Sequence, residues 1–365
     1  MHPLSTQRLA PVPSASASAN HQRALLPPSP LLLRPRTTNT RSSSSARSAP
    51  RAISPVTPTT AATDDPDAGA QSDKWAEFAA RVSGEWDGFG AEFTVAGEPV
   101  ELPANVVPDA YREWGVQVLD WQTQCPTLAD PATPGAFHYR LVRLLPTVGC
   151  EADAATVHTS HQRHASSATA FAYAGEGGSY VATWPKGPAA VLEVEHCICH
   201  PDNAEVRVRL VQTVALAKDA ARLRGLKVFS EQWYGPYRNG DQLGGCALRE
   251  SAFAAGERLA ASAVAGQWES TSRSSGALDP VTGKLAGLEP DHEPRRTARD
   301  GAGGVTLLPK QLWSSLRVSG DGDVVCEVGW LLGHGSAVTS TCVLSRDGDV
   351  KEIAAAQETR VSEAT

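Results

Sequence analysis

Two amphipathic stretches interrupt a chain that is otherwise patterned for strands. In 74–82 the apolar residues Trp75, Phe78, Ala79 and Val82 recur at helical spacing, with Asp73 as N-cap and Gly84 as stop. The Ala-rich 252–264, with Glu257 and Arg258, predicts a second helix-like segment. Each leads into a Gly-x-Trp, Gly84-Glu85-Trp86 and Gly266-Gln267-Trp268, with the two tryptophans 182 positions apart. After each, the apolar spacing shortens to a period of two. The first series predicts strands at 116–122, 137–145, 169–173, 180–184, 191–199, 206–216 and 226–233, closed by 247–251. The second predicts 267–272, 305–308, 312–318, 324–332, 338–344 and 351–361. Gly, Pro, Asn and Asp clusters separate them, and Ser319-Gly320-Asp321-Gly322-Asp323 and Arg346-Asp347-Gly348-Asp349 have tight-turn chemistry. Residues 280–296 lack periodicity and read as a long loop. Repeated helix periodicity is missing, which disfavours a parallel βαβ fold.

The expectation is an all-β fold: two tandem lipocalin-like antiparallel β-barrel units, 74–251 and 252–362, each entered by a short helix. In such a barrel the tryptophan plugs one end, the glycine lets the turn pack closely, and an arginine of the last strand covers the indole. That cation–π contact is worth roughly 0.5–2 kcal/mol. The signature residues are therefore Gly84, Trp86 and Arg249 in the first unit and Gly266, Trp268 and Arg360 in the second. The alternative is an unrelated sandwich with both tryptophans in its core. The units are unequal, since Trp86 to Arg249 spans 163 positions and Trp268 to Arg360 only 92. The longer one has more room for a cavity.

Composition adds an address. Residues 1–63 hold seven arginines and no Asp or Glu, and Ser, Thr, Pro and Ala dominate them. That is the make-up of a disordered chloroplast transit peptide, with processing near Arg51-Ala52-Ile53; the alternative is an ordinary disordered tail. The location expected is the plastid stroma, with thylakoid association open. The whole chain carries −7, and loss of the leader leaves 26 basic against 40 acidic residues, or −14. Such a protein repels phosphate backbones, so nucleic acid is not an expected partner. Leu31-Leu32-Leu33 is far too short for a membrane span. The seven cysteines are irregularly spaced, unlike a secreted disulfide framework. Buried thiols are expected, although Cys326 and Cys342 fall on consecutive predicted strands and can face each other across a hairpin.

Candidate chemistry is sparse. His196-Cys197-Ile198-Cys199-His200 looks like a metal cluster, but a strand sends the cysteines to one face and His196 and His200 to the other. No metal site is expected there. His158, His161 and His164 read as a surface loop. Glu231-Gln232-Trp233-Tyr234-Gly235 ends a strand with aromatic and polar groups; in a barrel this would line the mouth, with Trp121, Tyr180 and Trp184 in the same cavity. Trp121, Tyr180, Trp184, Glu231, Trp233 and Tyr234 are thus the candidate ligand residues. Rings beside a Glu and an Arg suit a planar tetrapyrrole; the alternative is that they fill the interior. No catalytic motif stands out.

The blocks 75–89, 111–125, 230–251 and 307–332, with Glu231-Gln232-Trp233-Tyr234-Gly235, Leu248-Arg249-Glu250, Leu307-Leu308-Pro309 and Val328-Gly329-Trp330-Leu331, resemble a plant and cyanobacterial family. That family is catalogued as a domain of unknown function with a lipocalin-like, or calycin, fold, distantly similar to phycobiliprotein-lyase-type barrels. The resemblance implies a plastid protein of two β-barrel-like units. The expectation is a binding protein for a small hydrophobic or tetrapyrrole-like ligand, or a lipid, in the first barrel. The alternatives are an assembly factor that docks on a photosynthetic protein complex, and a chromophore lyase or isomerase.

Overall fold

The computed structural model describes residues 66–148, 156–187, 190–217, 220–241, 251–278, 285–300 and 303–361. The expected leader, Arg249 and most of the expected closing strand 247–251 lie outside them. The chain is all-β, as its period-two patterning requires. It forms two antiparallel sheets of 11 and 8 strands.

The first sheet takes β1 (Glu85–Phe93), β2 (Asp120–Gln124), β3 (Thr127–Ala129), β4 (Phe137–Leu144), β5 (Val157–His164), β6 (Ala170–Tyr173), β7 (Tyr180–Pro185), β8 (Val191–Cys199), β9 (Val206–Ala217) and β10 (Ala220–Gly235). The second comprises β11 (Gly266–Ala277), β13 (Glu289–Asp291), β14 (Arg296–Arg299), β15 (Val305–Leu307), β16 (Leu312–Val318), β17 (Val324–Gly333), β18 (Ser336–Leu344) and β19 (Val350–Arg360). Between them in sequence, β12 (Leu285–Gly287) returns to the first sheet and pairs in parallel with β6. The described part of 280–296, from residue 285 on, is therefore not a featureless loop, because it supplies edge strands to both sheets. The second correction is β5. The run holding His158, His161 and His164 is a strand paired along β4, not a loop. It needs no apolar face because it is an exposed edge.

The first sheet runs β12-β6-β7-β8-β9-β10-β1-β2-β4-β3, with β5 added on β4. β4 and β6 lie far apart in that order, yet the Phe137 and Phe171 rings are 4.9 Å apart. The sheet is curled until its ends meet through side chains, without a ladder of hydrogen bonds between β5 and β6. The second sheet curls in the same sense: Trp268 on β11 and Trp313 on β16 stand 6.5 Å apart.

A helix α1 (Pro66–Val82) plugs the first curl. It begins before Asp73, since proline fits the first turn. Trp75, Phe78, Ala79 and Val82, its apolar stripe, are all buried against Phe137, Phe171, Tyr173 and Tyr180. A short α2 (Asp109–Glu113) lies between β1 and β2. Within 252–264 only α3 (Ala261–Val264) is helical. The Asp120 carboxylate captures the amides of Phe253 and Ala254, and Phe253 stacks on Phe93. Those anchors hold the chain out of a helix.

Both tryptophans are fully buried, and their indole N–H groups donate to the carbonyls of Val82 and Val264, four residues back in each case. Gly84 has φ +148° and Gly266 φ +124°, a backbone that side-chain-bearing residues avoid. A Cβ on Gly84 would also strike the Trp233 indole. The repeated glycine thus has a steric cause.

Strands β8, β9 and β10 are covered on both faces. Their outward residues Ile198, Leu210 and Val228 pack on Leu312, Val328 and Val338 of the second sheet. Val194 and Val214 pack near Cys326, Cys342 and Ile353. Cys326 and Cys342 are directly opposed in the β17–β18 ladder, as buried free thiols. Two polar bridges cross this layer: His196 Nδ1 with Ser340 Oγ at 2.9 Å, and Gln212 Nε2 donating to Ser314 Oγ at 2.8 Å.

Burial pushes the His196 imidazole down to about 4. Its folded value lies below the unfolded one of about 6.5, so the unfolded chain binds the extra proton. Stability is then fully present above pH 6.5 and falls as the pH drops towards 4, by about 3 kcal/mol in all. Denaturant unfolding of the wild type and of His196→Gln across that range is the check. The difference between their stabilities shrinks with acidification; a pH-independent difference contradicts the assignment.

Candidate ligand-binding site

Alternation along β7 to β10 sends one set of side chains into the curl. From β9 come Arg207 and Arg209, from β8 Glu193, Glu195 and Cys197, from β10 Lys227, Phe229, Glu231 and Trp233. Arg207 and Arg209 are fully buried, a placement tolerable only with charge partners. Glu231 accepts from Arg207 Nε at 2.7 Å and from Arg209 Nη2 at 2.7 Å. Glu195 accepts from Arg209 Nη1 at 3.0 Å, Arg163 Nη1 at 3.0 Å, the Tyr139 and Tyr180 hydroxyls at 2.7 and 2.9 Å, and Trp184 Nε1 at 2.9 Å. Burial alone would raise the Glu195 carboxyl. Arg209, Arg163 and the two phenols outweigh it and hold the group at about 2. Burial also works on Glu231, and Arg207 and Arg209 again reverse it, leaving the carboxyl below its ordinary range. Desolvation and Glu195 raise both phenols well above 10, so they remain donors.

This network also reaches the first tryptophan, whose expected cover, Arg249, lies outside the described residues. The guanidinium 4.1 Å from the Trp86 ring centre belongs to Arg207 on an interior strand. In the second sheet Arg299 stands 5.8 Å from Trp268 and 5.4 Å from Trp313, held by Glu327 and Glu358. Arg360 is not on the indole: it pairs with Trp268 in the ladder, and its guanidinium donates to the Ala265 carbonyl at 2.6 Å. Last-strand position puts it at the rim beside Gly266, while β14 crosses over the ring.

The six expected ligand residues separate. Tyr180, Trp184 and Glu231 do converge, but as parts of the filled network. Trp233 is at the plugged end, its indole directed at the Ser83 carbonyl. Tyr234 points outward, because consecutive strand residues take opposite faces, and it is 39% exposed. Trp121 is on the inner face near the other rim, stacked on His158 at 4.9 Å with Arg143 5.6 Å above it. The strand end 231–237 is therefore the closed end of the curl. His196 and Cys197 take opposite faces, as alternation demands, and among the described residues no group of three or more His, Cys, Asp or Glu is placed to hold a metal ion.

The open end holds a cavity of about 640 Å³. Its apolar floor is Leu141, Val211 and Phe229, and its walls carry Arg143, Arg163, Lys186, Lys227 and Glu193. Glu193 is shared by three cations: Lys186 at 2.7 Å, Lys227 at 3.0 Å and Arg163. Burial would raise its carboxyl, but the two lysines and Arg163 lower it to about 2. Sequence reading missed every one of these wall residues. The signal available was the repeated charged–apolar alternation of Leu192-Glu193-Val194-Glu195 and Val206-Arg207-Val208-Arg209.

Removing one member of the sealed network leaves its partners charged and unpaired. Arg209→Met is expected to lose about 3–5 kcal/mol of stability, against less than about 1 kcal/mol for Lys351→Ala, whose ion pair with Asp323 is exposed. Urea unfolding of both variants measures this, and equal effects would exclude a structural role for the network.

No protein-family profile matches the chain, and no curated protein matches it. Among solved structures, a protein of unknown function of the DUF3598 family from Nostoc punctiforme PCC 73102 is 15% identical, with a TM-score of 0.45 over 79% of this chain and 99% of that chain. A double mutant of the vaccine antigen transferrin binding protein B from Haemophilus parasuis Hp5 is 9% identical, with a TM-score of 0.15 over 67% of this chain and 55% of that one. Likenesses this distant carry no argument about chemistry, which rests on the residues of the cavity.

Proposed function

We propose that the protein is a plastid binding protein that takes a small amphipathic molecule, of the tetrapyrrole or lipid class, into the open end of its first curled sheet. The observation that carries this is the cavity of about 640 Å³, within the range of small-molecule sites. Its apolar floor can bury a hydrocarbon or ring body, and its cationic walls can fix acidic groups. A purely hydrophobic ligand fits poorly, because Arg163, Lys186 and Lys227 would lose water without gaining a partner.

The lyase or isomerase reading needs Glu231 or one of the histidines near the mouth to exchange protons as acid or base near neutrality. Glu193, Glu195 and Glu231 are all held ionised by their cations, so none of them suits that role. The assembly-factor reading draws on one feature: Trp114, just past α2, is 62% exposed, with Val116 47% exposed beside it. Among the described residues no helix is long and apolar enough to cross a membrane.

Incubation of the recombinant chain with a porphyrin, a bilin or a fatty acid, followed by gel filtration, tests the binding reading. At least one co-elutes with wild type, and Leu141→Trp, which puts an indole into the cavity, loses it. Retention of none, or equal retention by the variant, rejects the site. The address is tested separately by fusing residues 1–63 to a fluorescent protein in leaf cells: plastid import is expected, and cytosolic fluorescence rejects it.

A further inference from the structure

The inner face of the first sheet divides into two electrostatic compartments. In the sealed one, two guanidinium groups (Arg207, Arg209) face two carboxylates (Glu195, Glu231), and the charges cancel. In the open one, four cations (Arg143, Arg163, Lys186, Lys227) face Glu92 and Glu193, and Arg163 also reaches Glu195 of the sealed set, so that over both compartments six cations meet four carboxylates among the described residues. The excess of two positive charges therefore lies on the cavity wall. One carboxylate, Glu193, serves three cations, bridging Lys186 and Lys227 with a single oxygen. That oxygen marks where a ligand's own anionic group would be welcomed.

We infer that the ligand of this cavity is a dianion, a small amphipathic molecule with two carboxylates or one phosphate monoester. Its two charges restore neutrality to the open compartment while its apolar body covers Leu141, Val211 and Phe229. The inference rests on reading the cavity as a ligand site, and adds to it the charge the ligand must carry. Lys186 and Lys227 hold the first anionic group. Arg143, fixed over Trp121 and tied to Glu92 at 3.2 Å, stands on another part of the wall for a second. Glu193 acts as an internal competitor, occupying the lysines when the cavity is unliganded.

The test compares four probes on the full chain by calorimetry: protoporphyrin IX, with two carboxylates; its dimethyl ester, with the same ring and no charge; palmitate, with one carboxylate; and dodecyl phosphate. The diacid is expected to bind at least about tenfold tighter than the ester, and palmitate to fall between. The Lys186→Gln/Lys227→Gln variant should erase that preference, and Glu193→Gln should strengthen diacid binding several-fold. Both lysines are partly exposed, so the double variant is expected to keep the wild-type circular dichroism. Tighter, lysine-dependent binding of dodecyl phosphate would also support the inference and identify phosphate as the carrier of the charge. Equal affinities for diacid and ester would overturn the dianion and leave the binding site standing. Failure of all four probes overturns both.

Discussion

Everything on the inner face of the first sheet depends on how two fully buried arginines are neutralised. A guanidinium cannot be left uncompensated in an apolar interior, and here Arg207 and Arg209 are brought together by being two apart on one strand. Glu231 on the next strand lies between them, and Glu195 on the other neighbour closes the set. Those pairings demand the observed register of β8, β9 and β10, because a one-residue slip would send the charges into the layer between the sheets. The same guanidinium that satisfies Glu231 lies over the Trp86 ring, so the plug and the ion network are one object.

The network also closes the curl. No ladder joins β5 to β6, yet Arg163 from β5 reaches Glu193 and Glu195 on β8, and Tyr139 from β4 reaches Glu195. Side chains substitute for the missing backbone seam. At the other end the substitution is aromatic, with Phe137 packed on Phe171 and Tyr180. The second sheet repeats the logic on a smaller scale: Arg299 from β14 bridges to Glu327 and Glu358 across the concave face.

The strands were legible because their patterning is strict. Residues 191–199 and 312–318 are bounded in the sequence as they are in the structure. The faces of those strands were legible too, as the separation of His196 from Cys197 shows. Which face was interior was not. In Val206-Arg207-Val208-Arg209 alternation normally means apolar inward and charged outward, but here the apolar side meets a second sheet and the charged side fills the curl. A single strand carries no information about what covers its second face. Glu231 and Tyr180 share the interior as members of one ion network, whereas Trp233 stands at the plugged end and the open cavity lies at Lys227. The interior arginine over Trp86, Arg207, has the same alternation as a surface residue and so gives no sign in the sequence of its place.

The division into a neutral sealed end and a cationic open end has a further consequence for recognition. The whole chain is acidic, with a net charge of −7, so an approaching anion is repelled at long range. Beyond a Debye length of about 8 Å at physiological ionic strength that repulsion is screened, whereas among partly buried wall groups the attraction is screened less. Recognition then belongs to the cavity wall and not to steering by the overall field. Short reach selects for shape as well as charge: a ligand must insert its body onto Leu141, Val211 and Phe229 before its acidic groups come near Lys186 and Lys227. An inorganic anion meets the same repulsion and has no apolar body to offset it. Specificity on this account comes from coupling two weak filters, apolar burial and a local charge deficit, that only an amphipathic anion passes together.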